Sequence, residues 1–381
     1  MAYRMDIADS EAASWPRKRR AWGALALLAP LWATAVQAAE FIPQIITSST
    51  VPANGDGNPY GVAMAPANFP AGESIKPGDV LVSNFNDKAG LQGTGTTIIS
   101  FDPSGFDIAP NGMAKVFFQG TKGLGLTTAL GTLSGGGGFV VVGNAPTTDG
   151  TFKTLKSGSL LFIGRDGALV HEYKHVDGPW DLTIVDRGGT ATIFLSNVKA
   201  GTVTRLAVDV GAKNVTVTDN TTIATGYKVA PNAAALVLGP TGLAYDAASH
   251  DLYVASTGDN AIYKIANANT ATASVMKGTL VVQGGKLRGP LGLALAPNGD
   301  LLAANGDAIN ADMKQPSEIV ELTKAGKFVD QFNVDAAQGG AFGIAVGPVI
   351  GAGGKADKTS VNFAAIDDVP NTVSVYRRDL P

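Results

Sequence analysis

The sequence predicts an all-β protein, a six-bladed β-propeller of four-stranded antiparallel blades. The first observation is its composition: 48 glycines and only 16% charged residues in 381 favour short strands joined by tight turns. The second is a short motif that recurs along the chain, and the third is the constant order of strands after each copy. A closed ring of such units leaves few exposed strand edges.

The recurring motif consists of a proline or small residue, an apolar residue, glycine and an apolar strand. Its copies read NPYGVAMAP (58–66), GLGLTTALG (123–131), GPWDLTIVD (178–186), GPTGLAYD (239–246), GPLGLALAP (289–297) and GAFGIAVGP (340–348). The motif glycine falls at Gly61, Gly125, Gly242, Gly292 and Gly343, and Asp181 stands in its place in the third copy. The copies are 50 to 64 residues apart, which fits a unit of several short strands.

Each copy continues with a second strand that ends in a polar residue, a third strand, a turn and often a fourth strand. The polar residues are Asn84, Asn144, Asn197, Thr257, Asn305 and Asp367. The sixth copy stops after its third strand. We therefore expect the β-prone segment 41–49, FIPQIITSS, to supply the missing strand and to close the ring.

The N-terminus has the features of a secretory signal peptide. A basic cluster at 17–20 precedes an apolar run at 21–36, and Val36-Gln37-Ala38 is an acceptable cleavage site. The alternative, a retained membrane anchor, would require a longer apolar run. We expect a signal peptide at 1–38 and a single propeller domain at 39–381, without a transmembrane helix and located in the periplasm or outside the cell. The sequence leaves the choice between Sec and twin-arginine export open.

Charge and cysteine content narrow the possible partners and chemistry. Residues 39–381 carry 24 Lys and Arg against 29 Asp and Glu, so the mature net charge is −5. A mildly acidic chain without a basic run argues against nucleic acid as a partner. The chain has no cysteine, so an exported form must fold without disulfides and cannot use a thiol nucleophile.

The pattern of the repeats resembles that of a known superfamily. The stretches GPLGLALAPNGDLLAAN (289–305) and GPTGLAYDAASHDLYVAST (239–257) resemble NHL repeats and those of gluconolactonase-like six-bladed propellers. The resemblance extends from about Phe41 to Arg378. It implies the propeller fold, and it specifies function poorly because one fold hosts many activities.

One short motif suggests a zinc protease. His171 to His175 read HEYKH, and H-E-x-x-H on a helix places two histidines on one face. The repeat instead places these residues on the outermost strand of the second unit, where residues four apart are separated by roughly 13 Å. Such a distance is too long for two ligands of one zinc ion.

The repeats bring two sets of side chains to one mouth of the predicted channel. The segments that enter the first strands provide Asn58, Tyr60, Trp180, Asp181 and Phe342 as candidate ligand-binding residues. The ends of the second strands provide Asn84, Asn144, Asn197, Asn305 and Asp367 as candidate ligands for Ca²⁺ or another divalent cation. The alternative for each asparagine is that its side chain caps a turn. Beyond this candidate ion, the sequence assigns no cofactor.

Two functions remain open. The gluconolactonase resemblance implies a metal-dependent hydrolase of lactones or esters, with a cation held by a Glu, an Asn and an Asp. Asn197 and Asp367 match two of these, but the first entry motif has Asn58 and no Glu. The sequence therefore favours a binding module whose channel mouth takes a protein, a peptide, a glycan or a small neutral ligand. No catalytic residue is assigned, and whether the chain is an enzyme stays open.

Overall fold

The computed structural model describes residues 45–72, 74–104, 114–306, 312–351 and 354–380. The predicted signal peptide at 1–38 and the start of the segment 41–49 lie outside these residues. Helical structure in the described ranges is limited to a 3-10 turn at Phe152–Thr154. No helix of the described part has both the length and the apolar character of a membrane span.

Most of the described chain lies in four-stranded antiparallel sheets, numbered here in chain order. Sheets 1 to 5 each use strands that follow one another in the chain. The strands are, in sheet 1, β2 (Gly57–Met64), β3 (Val80–Asn86), β4 (Thr97–Phe101) and β5 (Val116–Gln119); in sheet 2, β6 (Leu126–Leu133), β7 (Phe139–Asn144), β8 (Ser159–Gly164) and β9 (Leu169–Tyr173); in sheet 3, β10 (Pro179–Asp186), β11 (Thr190–Asn197), β12 (Thr202–Val210) and β13 (Val215–Ala224); in sheet 4, β16 (Pro240–Asp246), β17 (Asp251–Ser256), β18 (Ala261–Ile265) and β19 (Thr279–Gln283); in sheet 5, β20 (Pro290–Leu295), β21 (Leu301–Asn305), β22 (Glu318–Leu322) and β23 (Phe328–Asn333).

Sheet 6 combines both ends of the described chain. It contains β24 (Ala341–Ile350), β25 (Ala356–Asp367), β26 (Thr372–Asp379) and, as its outer strand, β1 (Ile45–Ser49). Strands β1 and β26 are antiparallel, with Ile45 opposite Tyr376 and Ser49 opposite Thr372. This pairing confirms that the N-terminal strand completes the last unit.

A small hairpin that the repeats did not predict lies between sheets 3 and 4. It consists of β14 (Ala230–Asn232) and β15 (Leu236–Leu238). Leu236 and Val237 are buried, so the hairpin is part of the folded core.

The first strands of the sheets line one ring. They contact one another in the cyclic order β2, β6, β10, β16, β20, β24 and back to β2. Apolar side chains of consecutive sheets fill the layers between them; Leu81 and Ile98 of sheet 1, for example, belong to one buried cluster with Val140 and Leu161 of sheet 2. Four-stranded sheets packed face to face around their first strands form a β-propeller, which confirms the prediction of an all-β propeller.

Glycine is required where neighbouring first strands approach closely. A Cβ added at Gly292 would lie 2.5 Å from the carbonyl oxygen of Phe342 in the next sheet, and one added at Gly61 would lie 2.8 Å from that of Thr128. Both distances are shorter than van der Waals contact. The motif glycine therefore allows close packing at the axis.

The HEYKH segment lies where the repeats placed it. Its first three residues end β9, the outermost strand of sheet 2, and His171 is the register partner of Phe162. No group of three His, Asp or Glu side chains in the described ranges is arranged to hold a metal ion.

Candidate functional site

The two predicted sets of residues lie at one end of the ring. In each sheet the start of the first strand pairs with the end of the second. The partners are Pro59 and Asn84, Leu126 and Asn144, Pro179 and Asn197, Pro240 and Ser256, Pro290 and Asn305, and Ala341 and Asp367. We call this the asparagine end. In sheet 4 the equivalent polar residue is Ser256, one residue before the expected Thr257.

The same pairing corrects the motif glycine of the second copy. In each pair, the residue two positions after the first-strand partner belongs to an equivalent set. Its members are Gly61, Thr128, Asp181, Gly242, Gly292 and Gly343. The assignment of Gly125 to this position was wrong, because the glycine-rich copy GLGLTTALG allows several alignments and only the strand pairing distinguishes them. Thr128 and Asp181 are therefore the two polar members of this ring.

Asn144 and Asn305 each connect the entry segment of their own sheet to its strands. The side-chain oxygen of Asn144 accepts the backbone N–H of Gly125 at 2.8 Å, and its amide donates to the Ser159 hydroxyl at 3.0 Å. The oxygen of Asn305 accepts the N–H of Arg288 at 2.8 Å, and its amide donates to the carbonyl of Lys286 at 3.0 Å. Both asparagines therefore stabilise the turn before the first strand.

The side chains of Asn197 and Asn84 also contact the segment before the first strand of their sheet, Asn197 through its oxygen and Asn84 through its amide nitrogen. The side-chain oxygen of Asn197 accepts the N–H of Asp177 at 3.3 Å. The amide of Asn84 donates to the carbonyl of Thr50 at 2.9 Å and to the Thr97 hydroxyl at 3.1 Å. The buried oxygen of Asn84 has no hydrogen-bond partner within the described part of the chain.

These contacts decide how well the asparagines fit a cation. A Ca²⁺ site needs several oxygens that converge on one centre. In Asn144, Asn197 and Asn305 the side-chain oxygen accepts a backbone N–H of its own sheet instead. As arranged, these residues do not fit a divalent cation, and the alternative that they cap turns accounts for their contacts.

Asp367 occupies the equivalent place in sheet 6 and is buried. Burial, and then the nearby Asp335 carboxyl group, raise the pKa of Asp367 to about 6. Its Oδ1 atom has no hydrogen-bond partner among the residues described. Of the two side chains implied as cation ligands by the gluconolactonase resemblance, Asn197 is therefore occupied, and Asp367 faces another carboxyl group.

The three aromatic candidates meet at the axis. The Tyr60 ring lies 4.7 Å from the Phe342 ring and 5.9 Å, edge-on, from the Trp180 ring. Phe85, which the motif analysis missed although it directly follows Asn84, stacks on Tyr60 at 4.5 Å. Tyr60, Trp180 and Phe342 are 1%, 0% and 4% exposed. We call these four rings the axial aromatic layer. Tyr60, Trp180 and Phe342 were expected to contact a ligand, and the structure packs them against one another and against Phe85.

Asn58 lies beside this layer in a strained backbone conformation. Its φ of 54° is in the left-handed region. Its backbone N–H donates to the side-chain oxygen of Asn371 in sheet 6 at 2.6 Å. The contact joins the first sheet to the last, so Asn58 takes part in closing the ring.

A small cavity follows the aromatic layer along the axis. It has a volume of about 60 Å³, and every sheet contributes to its wall, among others through Val62, Thr128, Asp181, Leu243, Leu293 and Ile344. Val62 and Ile344 come two residues after Tyr60 and Phe342, so the layer lies at the asparagine end of the cavity.

Asp181 contributes a titratable carboxyl group to this cavity. Its Oδ1 accepts the N–H of Leu182 at 2.7 Å, and the N–H of Leu243 also interacts with its carboxyl group. Burial outweighs these two contacts and raises the pKa of Asp181 well above the usual range of an aspartate. The shift favours the protonated form of the carboxyl group, in which it can donate a hydrogen bond within the cavity.

Loops of different sheets are bonded to one another above the aromatic layer. The loop 145–158 reaches the loop 87–96 through the N–H of Thr147, which donates to the carbonyl of Gly93 at 2.8 Å. The amide of Gln92 donates to the carbonyl of Ala233 in the β14–β15 hairpin at 3.1 Å. We call these two loops and the hairpin 230–238 the loop platform. Leu155 and Val237 of the platform are buried in one cluster with the aromatic layer.

Comparison with known proteins shows that this chain is similar to several solved structures in its fold. No protein-family model and no curated protein sequence matches the chain. A DUF4623 family protein from Bacteroides eggerthii is similar in structure over 89% of this chain and 76% of that chain, with 11% identity and a TM-score of 0.51.

Gluconolactonase-like propellers are also among the similar structures. A gluconolactonase from Xanthomonas campestris is 11% identical, with 88% of this chain and 97% of that chain covered and a TM-score of 0.48. Regucalcin from Agrobacterium tumefaciens, a calcium-binding protein, is 12% identical, with 87% and 95% covered and a TM-score of 0.47.

Proposed function

We propose that the protein is an exported six-bladed β-propeller, residues 39–381, that acts as a binding module through the loop platform. The observation that carries the proposal is the bonding of loops from different sheets to one another: Thr147 contacts Gly93, and Gln92 contacts Ala233. Loops held in place on a rigid scaffold are where proteins usually place binding residues. In this proposal the axial aromatic layer supports the platform from below.

The surface of the platform suits a polar ligand. Thr148, Asp149 and Lys153 are exposed on the longest of its loops, and Lys88 is exposed on the loop of sheet 1. Side chains of both charges next to hydroxyl groups favour hydrogen bonding to a protein, a peptide, a glycan or a small neutral molecule. The hydrolase alternative needs a cation site, and the asparagine contacts described above do not favour one.

An array of peptides and glycans, probed with residues 39–381, tests the proposal. For a ligand found on the array, hydrogen–deuterium exchange is expected to slow in 87–96 and 145–158. The turn 211–214, at the opposite end of the ring, serves as the internal reference. Slower exchange at that turn alone, or an array without any bound ligand, would refute the platform as the binding surface.

A pair of matched charge reversals provides the control. Lys153 is exposed on the platform and Lys213 is exposed in the turn 211–214. We expect Lys153→Glu to weaken binding of the array ligand severalfold and Lys213→Glu to leave it unchanged, with equal melting temperatures for both variants.

Release of a 38-residue N-terminal peptide, measured by mass spectrometry of the exported protein, checks the proposed export.

A further inference from the structure

Among the described residues, the layer between sheets 5 and 6 has the smallest buried apolar cluster. Its buried cluster has five residues, three of which are alanines: Ala304, Ala341 and Ala365. The layer between sheets 1 and 2 contains larger side chains, such as Phe69, Phe117 and Leu161. A cleft of about 600 Å³ opens between sheets 5 and 6, a volume that suits a small organic molecule.

The cleft is separate from the loop platform. It is lined by the turn 296–298 between β20 and β21 and by the C-terminal end of β26. Both lie at the end of the ring opposite Asn305 and Asp367. A ligand in the cleft would therefore not contact the surface considered above.

Three aromatic rings form the walls of the cleft. The Phe332 ring is nearly perpendicular to those of Phe363 and Tyr376, at 76° and 72°, with centroids 6.0 and 5.9 Å apart. Phe332 is 39% exposed, and the other two are half-buried. The faces of aromatic rings attract cations electrostatically.

The charged side chains of the cleft are mostly acidic. Glu321, Asp330 and Asp379 line it together with a single basic residue, Arg378. Glu321 and Asp330 are direct register partners on β22 and β23, and the amide of Asn298 donates to Glu321 at 2.9 Å. Like charges directly opposite each other in a sheet repel, and a bound cation would relieve this repulsion.

We propose that this cleft binds a small organic cation, a substituted ammonium with an apolar body. The ammonium group lies between the aromatic faces and the Glu321–Asp330 pair, and the apolar body contacts the half-buried Leu302, Val346 and Val361 at the back of the cleft.

Calorimetric titration of residues 39–381 with benzyltrimethylammonium tests the proposal. Saturable binding is expected with a Kd of about 1 mM or lower, as fits a ligand of this size. Benzyl alcohol and benzoate, titrated in the same way, are expected to bind at least about fivefold more weakly. Equal affinity for benzoate, or no saturation by the ammonium, would overturn the proposal.

Variants localise the ion to the cleft. Phe332→Ala and Glu321→Gln are each expected to weaken binding of benzyltrimethylammonium about fivefold. Arg378→Gln is expected to tighten it about twofold, a change that damage to the fold would not produce. The matched control is Phe328→Ala, because Phe328 is on the same strand and is 41% exposed but does not line the cleft. An equal loss in Phe328→Ala and Phe332→Ala would assign the binding to nonspecific adsorption.

Discussion

At the scale of single residues, the axis of the ring combines apolar side chains with one carboxyl group. The walls near Asp181 are largely apolar, with Val62, Leu243 and Leu293 among them, and no described Lys or Arg side chain lowers the pKa of its carboxyl group. Burial without a neighbouring cationic side chain raises the pKa of a carboxyl group and so favours its protonated form. Asp181 therefore lowers stability whenever the solution pH would ionise the same group in the unfolded chain.

The sign of this effect follows from the shifted pKa. The folded-state pKa of Asp181 lies above the value of about 3.9 for an unfolded aspartate. Below that pH both states hold the proton, and the contribution of the group to stability is fully present. As the pH rises towards the folded-state pKa, only the unfolded chain releases its proton, so the free energy of unfolding decreases.

Asp181→Asn is expected to remove this decrease while it keeps the hydrogen bond from the Leu182 N–H. The variant should melt at a higher temperature than the wild type at pH 7 and show a clearly smaller gain at pH 4. Asp79 and Asp367, whose pKa values are also raised to about 6, are present in both proteins and cancel in the comparison. Thermal melts from pH 4 to 8 measure the difference. An identical gain in melting temperature at every pH would contradict a raised pKa of Asp181. The control variant is Asp209→Asn, because Asp209 is exposed on the same sheet.

At the scale of elements, strand β1 gives sheet 6 its outer strand. Without β1, the edge of β26 would expose its backbone N–H and C=O groups. The side chains of Thr47 and Ser374 are also hydrogen-bonded at 2.8 Å, and Ile46 packs against the core cluster next to β26. The strand thus contributes both hydrogen bonds and apolar contacts.

Comparison of chains that begin at residues 39, 45 and 50 tests this role. We expect the chain from 50 to lose about 2 kcal/mol or more of unfolding free energy, through loss of the buried area of Ile46 and of the strand pairing. The chain from 45 keeps β1 and serves as the control. Urea denaturation gives the free energies, and size-exclusion chromatography reports self-association through the exposed edge. Equal urea midpoints for the chains from 45 and 50 would mean that β1 adds no stability.

The strand order could be predicted because each element repeats in the sequence. The outer position of HEYKH and the pairing of the N-terminal strand follow from counting strands per copy. The role of Thr128 could not be predicted, because its copy contains several glycines that fit the motif. The β14–β15 hairpin has no repeated counterpart. The burial of Tyr60 depends on rings from other sheets, and a single repeat carries no information about such contacts.

At the scale of the whole molecule, each sheet of the ring packs against two neighbours. The first strands contact one another in a closed cycle, and Asn58 of sheet 1 is bonded to Asn371 of sheet 6. A linear array of repeats has end units that can unfold first. A closed ring has no such unit, so partial unfolding must expose two packed layers at once. Cooperative unfolding is the expected consequence.

The single tryptophan of residues 39–381 allows this to be measured. The chain has four tryptophans, and Trp180 is the only one after residue 38. It lies in the axial aromatic layer, 5.5 Å from Phe85, so its fluorescence reports on the axis, whereas far-UV circular dichroism reports on all sheets. For the chain from 39 we expect both signals to change with the same urea midpoint and the same slope, as in a two-state transition. For the chain from 50, where sheet 6 lacks β1, the dichroism is expected to change first. Separate midpoints in the intact chain would show that its sheets unfold independently, and the closed ring would then not be the source of its stability.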